Sequence, residues 1–320
     1  MPHRILCTIG KEFAPEAKKI LESLGDVDYA MPTQAQLTKN IGTYHAVVVQ
    51  LGLQFDAHVL RHATNLRFIA TATTGTDHVA LATAKKQGIT VLSLKDAKNL
   101  LEDIPSTAEH TWGLLLALIR NTVPATEAVL QGKWDGKPFS GMELKGKTLG
   151  VIGLGRLGRM TAGYGKAFGM NIIGCDLRNI PVSICKQVSL NALLKTSDVV
   201  ALHVHLTQET EGMIGEKELQ NMKPTAVLIN TARGKIVNEQ ALLLALKKKW
   251  IAGYAADVLS TETEFDQDCT RDRLVMYSKA HPNVLLTPHI GGRTHEARTK
   301  TDIFIAQKLR SAITTTTKAS

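Results

Sequence analysis

Short apolar runs alternate with amphipathic stretches along almost the whole chain. Near the start RILCTIG (4–10) reads as a strand, FAPEAKKILESLG (13–25) as a helix ending in Gly25, and HAVVVQLG (45–52) and LRFIATATTG (66–75) as two more strands. Strands that alternate with helical patterns in this way predict a parallel sheet covered on both faces by helices.

A second series follows the buried or amphipathic helix TAEHTWGLLLALIRNT (107–122) and a polar, glycine-containing stretch at 131–147. It comprises TLGVIGLG (148–155), NIIGCD (171–176), VVALHVHL (199–206), AVLINTA (226–232), IAGYAADVL (251–259) and NVLLTPH (283–289). Six strands with helices between most of them predict a second, complete doubly wound domain, with the helix at 107–122 as the crossing between the two. The last periodic segment, THEARTKTDIFIAQKLRSAI (294–313), is expected to run back toward the first domain ahead of a frayed TTTTKAS tail.

Composition narrows the class. A chain of 320 residues is long enough for two buried cores. Its longest apolar runs, such as WGLLLALI (112–119), fall short of the roughly 18 residues of a spanning helix, and MPHRILCTIGKEF lacks the parts of a secretion signal. A cytoplasmic protein without a membrane segment is expected. Cys7, Cys175, Cys185 and Cys269 lie far apart with no CxxC pair, so neither a metal site nor a disulfide framework is indicated. Lys and Arg number 38 against 29 Asp and Glu, a formal charge of +9 that suits anionic ligands. The excess is spread out and only 5% of residues are aromatic, which disfavours nucleic acid as a partner.

Two glycine motifs compete. GMELKGKT (141–148) fits the phosphate-loop pattern GxxxxGK[ST], but it leads into a strand instead of opening a helix, so its amides and a helix dipole would not face a phosphate. GLGRLG (153–158) has the right context. A strand precedes it, a helical pattern follows, and the next strand ends in Asp176, 23 residues after Gly153. Gly153 permits the tight turn, Gly155 lets backbone approach a pyrophosphate and Gly158 lets the helix pack close to the sheet. Asp176 would accept from the adenosine ribose hydroxyls and repel a 2′-phosphate, which favours NAD over NADP, although Arg178 stands two residues away.

The strand ends offer groups for hydride-transfer chemistry, which needs an acid–base group and a cation for an anionic substrate. Arg233 follows AVLIN, Ser260, Thr261 and Glu262 follow AGYAADVL, and His289 follows NVLL. Singly, each also reads as an ordinary turn residue, and spacing alone leaves the matter open.

Ordered matches run through most of the chain: TTGTDHV (73–79), TAEHTWGLLLALIRN (107–121), LGVIGLGRLGRM (149–160), NMKPTAVLINTARGKIVNEQALLLAL (221–246), AGYAADVL (252–259) and TPHIGG (287–292). With these the chain resembles the D-isomer-specific 2-hydroxyacid dehydrogenase family. The resemblance implies a Rossmann NAD-binding domain (101–293) inserted in a flavodoxin-like substrate domain (1–100 plus 294–320), with the active site in the cleft between them and a homodimer as the assembly. It implies that Arg233 binds the carboxylate of a small 2-hydroxy or 2-oxo acid, that His289 is the acid and base, and that Glu262 hydrogen-bonds to the imidazole. Thr74, Gly75 and Thr76 would hold the substrate carboxylate from the other domain. Arg156 and Leu157 fall at the pyrophosphate, His203, Thr231 and Ala232 along the cofactor, Asp257 near the nicotinamide amide, and Gly291 where the chain passes close to nicotinamide.

Within that family the basic balance points to 3-phosphoglycerate as substrate, with glyoxylate and hydroxypyruvate as alternatives. An NAD-sensing corepressor or scaffold is the rival on the same fold. Some positions depart from the pattern. DVLSTET lacks the usual proline and offers Glu264 as a competitor to Glu262, His205 replaces the proline of HxPLT, and the segment 263–282 is long.

Overall fold

The computed structural model describes residues 3–49, 52–262 and 268–319. The chain divides into two compact units, Met1–Ile104 with Arg293–Ser320, and Pro105–Gly292.

In the first unit β1 (His3–Cys7), β2 (Gly25–Tyr29), β3 (Ala46–Val49), β4 (Phe68–Thr71) and β5 (Thr90–Leu92) form a sheet in the order β2-β1-β3-β4-β5, with every pair parallel. Successive side chains on a strand point to opposite faces. Ile5, Cys7, Ala46, Val48, Phe68 and Ala70 therefore share one core with Phe13, Leu21, Ile305, Leu309 and Ile313. Leu6, Val47, Val49 and Ile69 share the other with Leu37, Ile41, Val59 and Leu60. The run FAPEAKKILESLG gives a helix over Pro15–Glu22, which ends three residues earlier than expected because Gly25 opens β2. The last helix, His295–Ala319, belongs to this unit and continues through the segment expected to fray.

The second unit holds β6 (Thr148–Ile152), β7 (Asn171–Cys175), β8 (Lys186–Gln187), β9 (Val199–Leu202), β10 (Val227–Asn230), β11 (Gly253–Ala256) and β12 (Val284–Leu286). Their order is β12-β11-β10-β9-β6-β7-β8, again parallel throughout. The strand order reverses between β6 and β9, the place where open α/β sheets bind ligands at their carboxyl ends. Helix Ser106–Ile119 is not a crossing: it lies wholly within this unit, with Trp112, Leu115 and Leu118 in one of its cores. The opposite core takes Leu242 and Leu246 from helix Glu239–Lys248, which starts where the Asn238 side chain accepts from the Ala241 amide at 3.0 Å. No single helix among the described residues is long and apolar enough to cross a membrane.

Candidate active site

The GLGRLG turn is built by close approach. Gly153 takes φ +89, and a β-carbon there would stand 2.7 Å from the His203 carbonyl, while one on Gly158 would stand 2.0 Å from the Gly153 oxygen. Only glycine fits both places. At Gly155 a β-carbon would meet nothing nearer than Arg178 Nη2 at 4.0 Å, so the turn presents bare backbone to open space. Helix Arg156–Ala167 starts there, with Arg156 and Leu157 in its first turn, where amides lacking helical partners attract anions.

Asp176, just past β7, accepts from the Leu154 amide (2.7 Å), the Arg178 amide (2.9 Å) and the Arg178 guanidinium (3.2 and 3.3 Å). Burial pushes this carboxyl upward, but the bonds from Arg178 and the Leu154 amide outweigh it and hold it below the usual range. Gly153 faces His203, whose amide donates to the Ile152 carbonyl at 2.7 Å. Burial lowers the His203 imidazole to about 4, and its Nε2 has no hydrogen-bond partner within the protein. A histidine whose backbone packs on Gly153 and whose neutral Nε2 is buried without a partner, and a turn without side chains, are features that fit a dinucleotide. His205 is exposed, and its carbonyl accepts from the Thr210 hydroxyl at 2.6 Å.

The candidate reactive groups stand past β10, β11 and β12. The buried Asn230 clamps the first turn: its side chain accepts from the Ala232 amide (3.0 Å) and donates to the Arg233 carbonyl (3.0 Å). Arg233, part-buried, also donates from Nη1 to the Ala232 carbonyl at 2.8 Å. A β-carbon on Gly234 would overlap the Leu259 carbonyl carbon at 2.0 Å, so the Arg233 turn lies directly on the segment leading to Glu262. That segment is tied down on both sides. Ser260 donates to Glu239, and Thr261 donates to Asp272 (2.5 Å), which also caps helix Arg273–Ser278. Thr231 is buried and shares a hydrogen bond with Thr111 at 2.7 Å.

Glu262 meets His289. Oε2 and Nδ1 are 3.1 Å apart, and each side chain is 27% exposed. His289 itself is left-handed, φ +54, a backbone state that costs a non-glycine residue about 1–2 kcal/mol. Asp257, 2% exposed, braces the turn by accepting from the Ile290 amide (2.8 Å), the Gly291 amide (2.7 Å) and the Thr287 hydroxyl (2.6 Å). Hydrogen bonds to a charged group contribute roughly 1.5–3 kcal/mol each, enough to outweigh the strain. Burial pushes the Asp257 carboxyl up, yet its bonds from His110, Thr287 and the two amides bring it below the ordinary value.

The structure thus joins Arg233, Glu262, His289, Asp257 and Gly291 through packed turns of one unit. Thr74, Gly75 and Thr76 lie in the other, past β4, where the Thr73 hydroxyl donates to the Gly75 carbonyl at 2.7 Å and the Val79 amide to the Thr76 carbonyl at 3.0 Å. Glu264 falls outside the described residues. Asn230, Thr287, His110 and Thr111 were not foreseen from the sequence. Thr107, His110 and Thr111 share a helix face at i, i+3 and i+4 inside TAEHT, and this polar stripe in a largely apolar helix was the available signal.

A dinucleotide turn and a histidine–carboxylate pair at the carboxyl ends of one parallel sheet are the parts of a dinucleotide-dependent dehydrogenase. The pattern of the NAD-binding domain of the D-isomer specific 2-hydroxyacid dehydrogenases matches residues 112–291. The chain is 37% identical over 305 residues to a D-3-phosphoglycerate dehydrogenase of Methanocaldococcus jannaschii, covering 93% of this chain but 55% of that one. It is 36% identical over 316 residues to a glyoxylate reductase of Thermococcus litoralis, covering 94% and 91%. A crystal structure of a glyoxylate reductase from Paecilomyes thermophila superposes with a TM-score of 0.81 at 30% identity, covering 98% and 95%. The chain belongs to the D-isomer specific 2-hydroxyacid dehydrogenase family, and its cofactor is a nicotinamide dinucleotide.

Proposed function

We infer that the protein interconverts a D-2-hydroxy acid and its 2-oxo acid with NAD as the redox partner. The observation that carries this reading is the Glu262–His289 pair, held on braced turns in the unit that bears the dinucleotide turn. When bound, nicotinamide supplies or takes the hydride. Arg233 binds the substrate carboxylate and polarises the neighbouring carbonyl with a permanent charge. In reduction His289 gives a proton to the keto oxygen, and in oxidation it takes that proton back, with Glu262 orienting the imidazole and favouring its protonated form. Asp176 receives the adenosine ribose and so favours NAD, while His203, Thr231, Ala232 and Gly291 line the cofactor. Thr74, Gly75 and Thr76 are assigned to the substrate carboxylate, which makes residues 1–100 with 294–320 the substrate-binding domain and 101–293 the NAD-binding domain.

The basic balance suits 3-phosphoglycerate, and the likeness to a glyoxylate reductase over nearly its full length supports a small 2-oxo acid as the second reading. We assign the chain to the cytoplasm, where its four free cysteines stay reduced, and to a homodimer. The test is NADH oxidation with 3-phosphohydroxypyruvate, hydroxypyruvate, glyoxylate and pyruvate, followed by chiral analysis of the chiral products. A D-hydroxy acid is expected. An L-isomer or a racemate would overturn the assignment.

A further inference from the structure

The Asp257 carboxylate collects a fourth donor from outside the strand-end turns. His110, on helix Ser106–Ile119, places Nε2 3.0 Å from the Thr287 hydroxyl oxygen and 3.2 Å from Asp257 Oδ1. Its proton can be located by elimination. Thr287 gives its one hydroxyl proton to Asp257, so toward His110 the Thr287 oxygen can only accept, and an ionised carboxylate also only accepts. Both groups facing Nε2 are acceptors, and Nε2 must carry the hydrogen.

The same carboxylate binds the two amides that follow His289, those of Ile290 and Gly291, while the His289 amide donates to the Thr287 carbonyl at 3.0 Å. There is no slack in this packing. A β-carbon on Gly291 would lie 2.9 Å from Asp257 Oδ2 and 3.4 Å from both His110 Cδ2 and Thr107 Cγ2. A shift of the helix at His110 is therefore passed to the turn that carries His289.

We propose that His110 is a positioning residue for the acid–base histidine: its Nε2–H fixes the Thr287–Asp257 pair, which through the Ile290 and Gly291 amides holds His289 in the left-handed turn that meets Glu262. This rests on the reading of His289 as the proton donor.

The test compares wild type, His110→Phe and His110→Gln in the full chain, by kcat, by NADH Kd from fluorescence, and by the amide resonance of Gly291. Phe removes the donor, whereas Gln can restore one. Phe should lower kcat by about ten- to a hundredfold, the cost of slight misplacement of a reacting group, with NADH Kd changed less than about threefold. Gln should recover most of the rate, and the Gly291 amide should shift in the Phe variant and return in the Gln variant. A Phe variant that keeps kcat within about twofold overturns the proposal. So does a parallel loss of kcat and NADH binding that Gln does not rescue. Wild type that binds NADH yet reduces no 2-oxo acid would instead overturn the dehydrogenase reading, and the Gly291 resonance would then decide the role of His110 in the turn.

Discussion

In the proposed reading Glu262 and His289 carry the chemistry, and the turns that hold them are braced by neighbours that do not react. Glu262→Gln keeps the shape of the pair and removes its charge, so kcat should fall by about ten- to a hundredfold, while Glu264→Gln should stay within about twofold; steady-state kinetics of both variants decides between the two carboxylates. Asp176 is held ionised by Arg178 and the Leu154 amide, which suits the ribose-binding role proposed for it. Asp176→Ala should weaken NADH binding about tenfold and narrow the preference over NADPH, measured as the two dissociation constants. Arg233 and His289 were visible in the sequence as residues at strand ends, but their roles came only through the resemblance. His110 was marked only by the polar stripe within TAEHT, because its partner Thr287 is 177 positions away and a helical pattern does not say which distant group a side chain meets.

At the scale of elements, the apolar strands were legible and the polar ones were not. GDVDY (β2) mixes acids into an edge strand, TVL (β5) is three residues long, and KQ (β8) is two exposed polar residues at the sheet edge, so none produces an apolar run. The second sheet accordingly has seven strands instead of six. Expected strands also ran past their real ends: VVALHVHL stops at Leu202 and AVLINTA at Asn230. The overrun residues are those that leave the sheet to build the site. Helix Thr122–Leu130 is apolar yet buries no residue, with Val129 49%, Leu130 82% and nearby Trp134 91% exposed. Apolar surface of this kind marks an interface, and the homodimer proposed above would use it. Leu130→Asp should convert dimer to monomer in light scattering at low micromolar concentration; an unchanged mass would move the interface elsewhere.

Both sheets are parallel, and the two orders, β2-β1-β3-β4-β5 and β12-β11-β10-β9-β6-β7-β8, are those of doubly wound domains. The fold class was legible because strand and helix patterns alternate throughout; the burial of a charge-bearing side chain was not. Asp302, 1% exposed on the last helix, accepts from the Ala14 amide at 3.1 Å and lies 3.8 Å from Arg298. Burial pushes its carboxyl up to about 6, with Arg298 and the Ala14 amide opposing. Between the ordinary carboxylate value and about 6 the folded state holds a proton that the unfolded state has lost, so its contribution falls as pH rises through that window. The loss amounts to about 3 kcal/mol. Asp302→Asn keeps an acceptor without the charge, and denaturant melts at pH 4 and pH 7 should show wild type losing stability relative to the variant across the interval.

The central claim is that this chain moves a hydride and a proton at one site, with His289 handling the proton. It is tested most directly by NADH oxidation at saturating 2-oxo acid in wild type and His289→Ala, alongside NADH Kd from fluorescence. The account predicts turnover by wild type and a kcat at least about a hundredfold lower in the variant at nearly the same Kd. Turnover by His289→Ala at the wild-type rate, or tight NADH binding by wild type with no 2-oxo acid reduced, would contradict it.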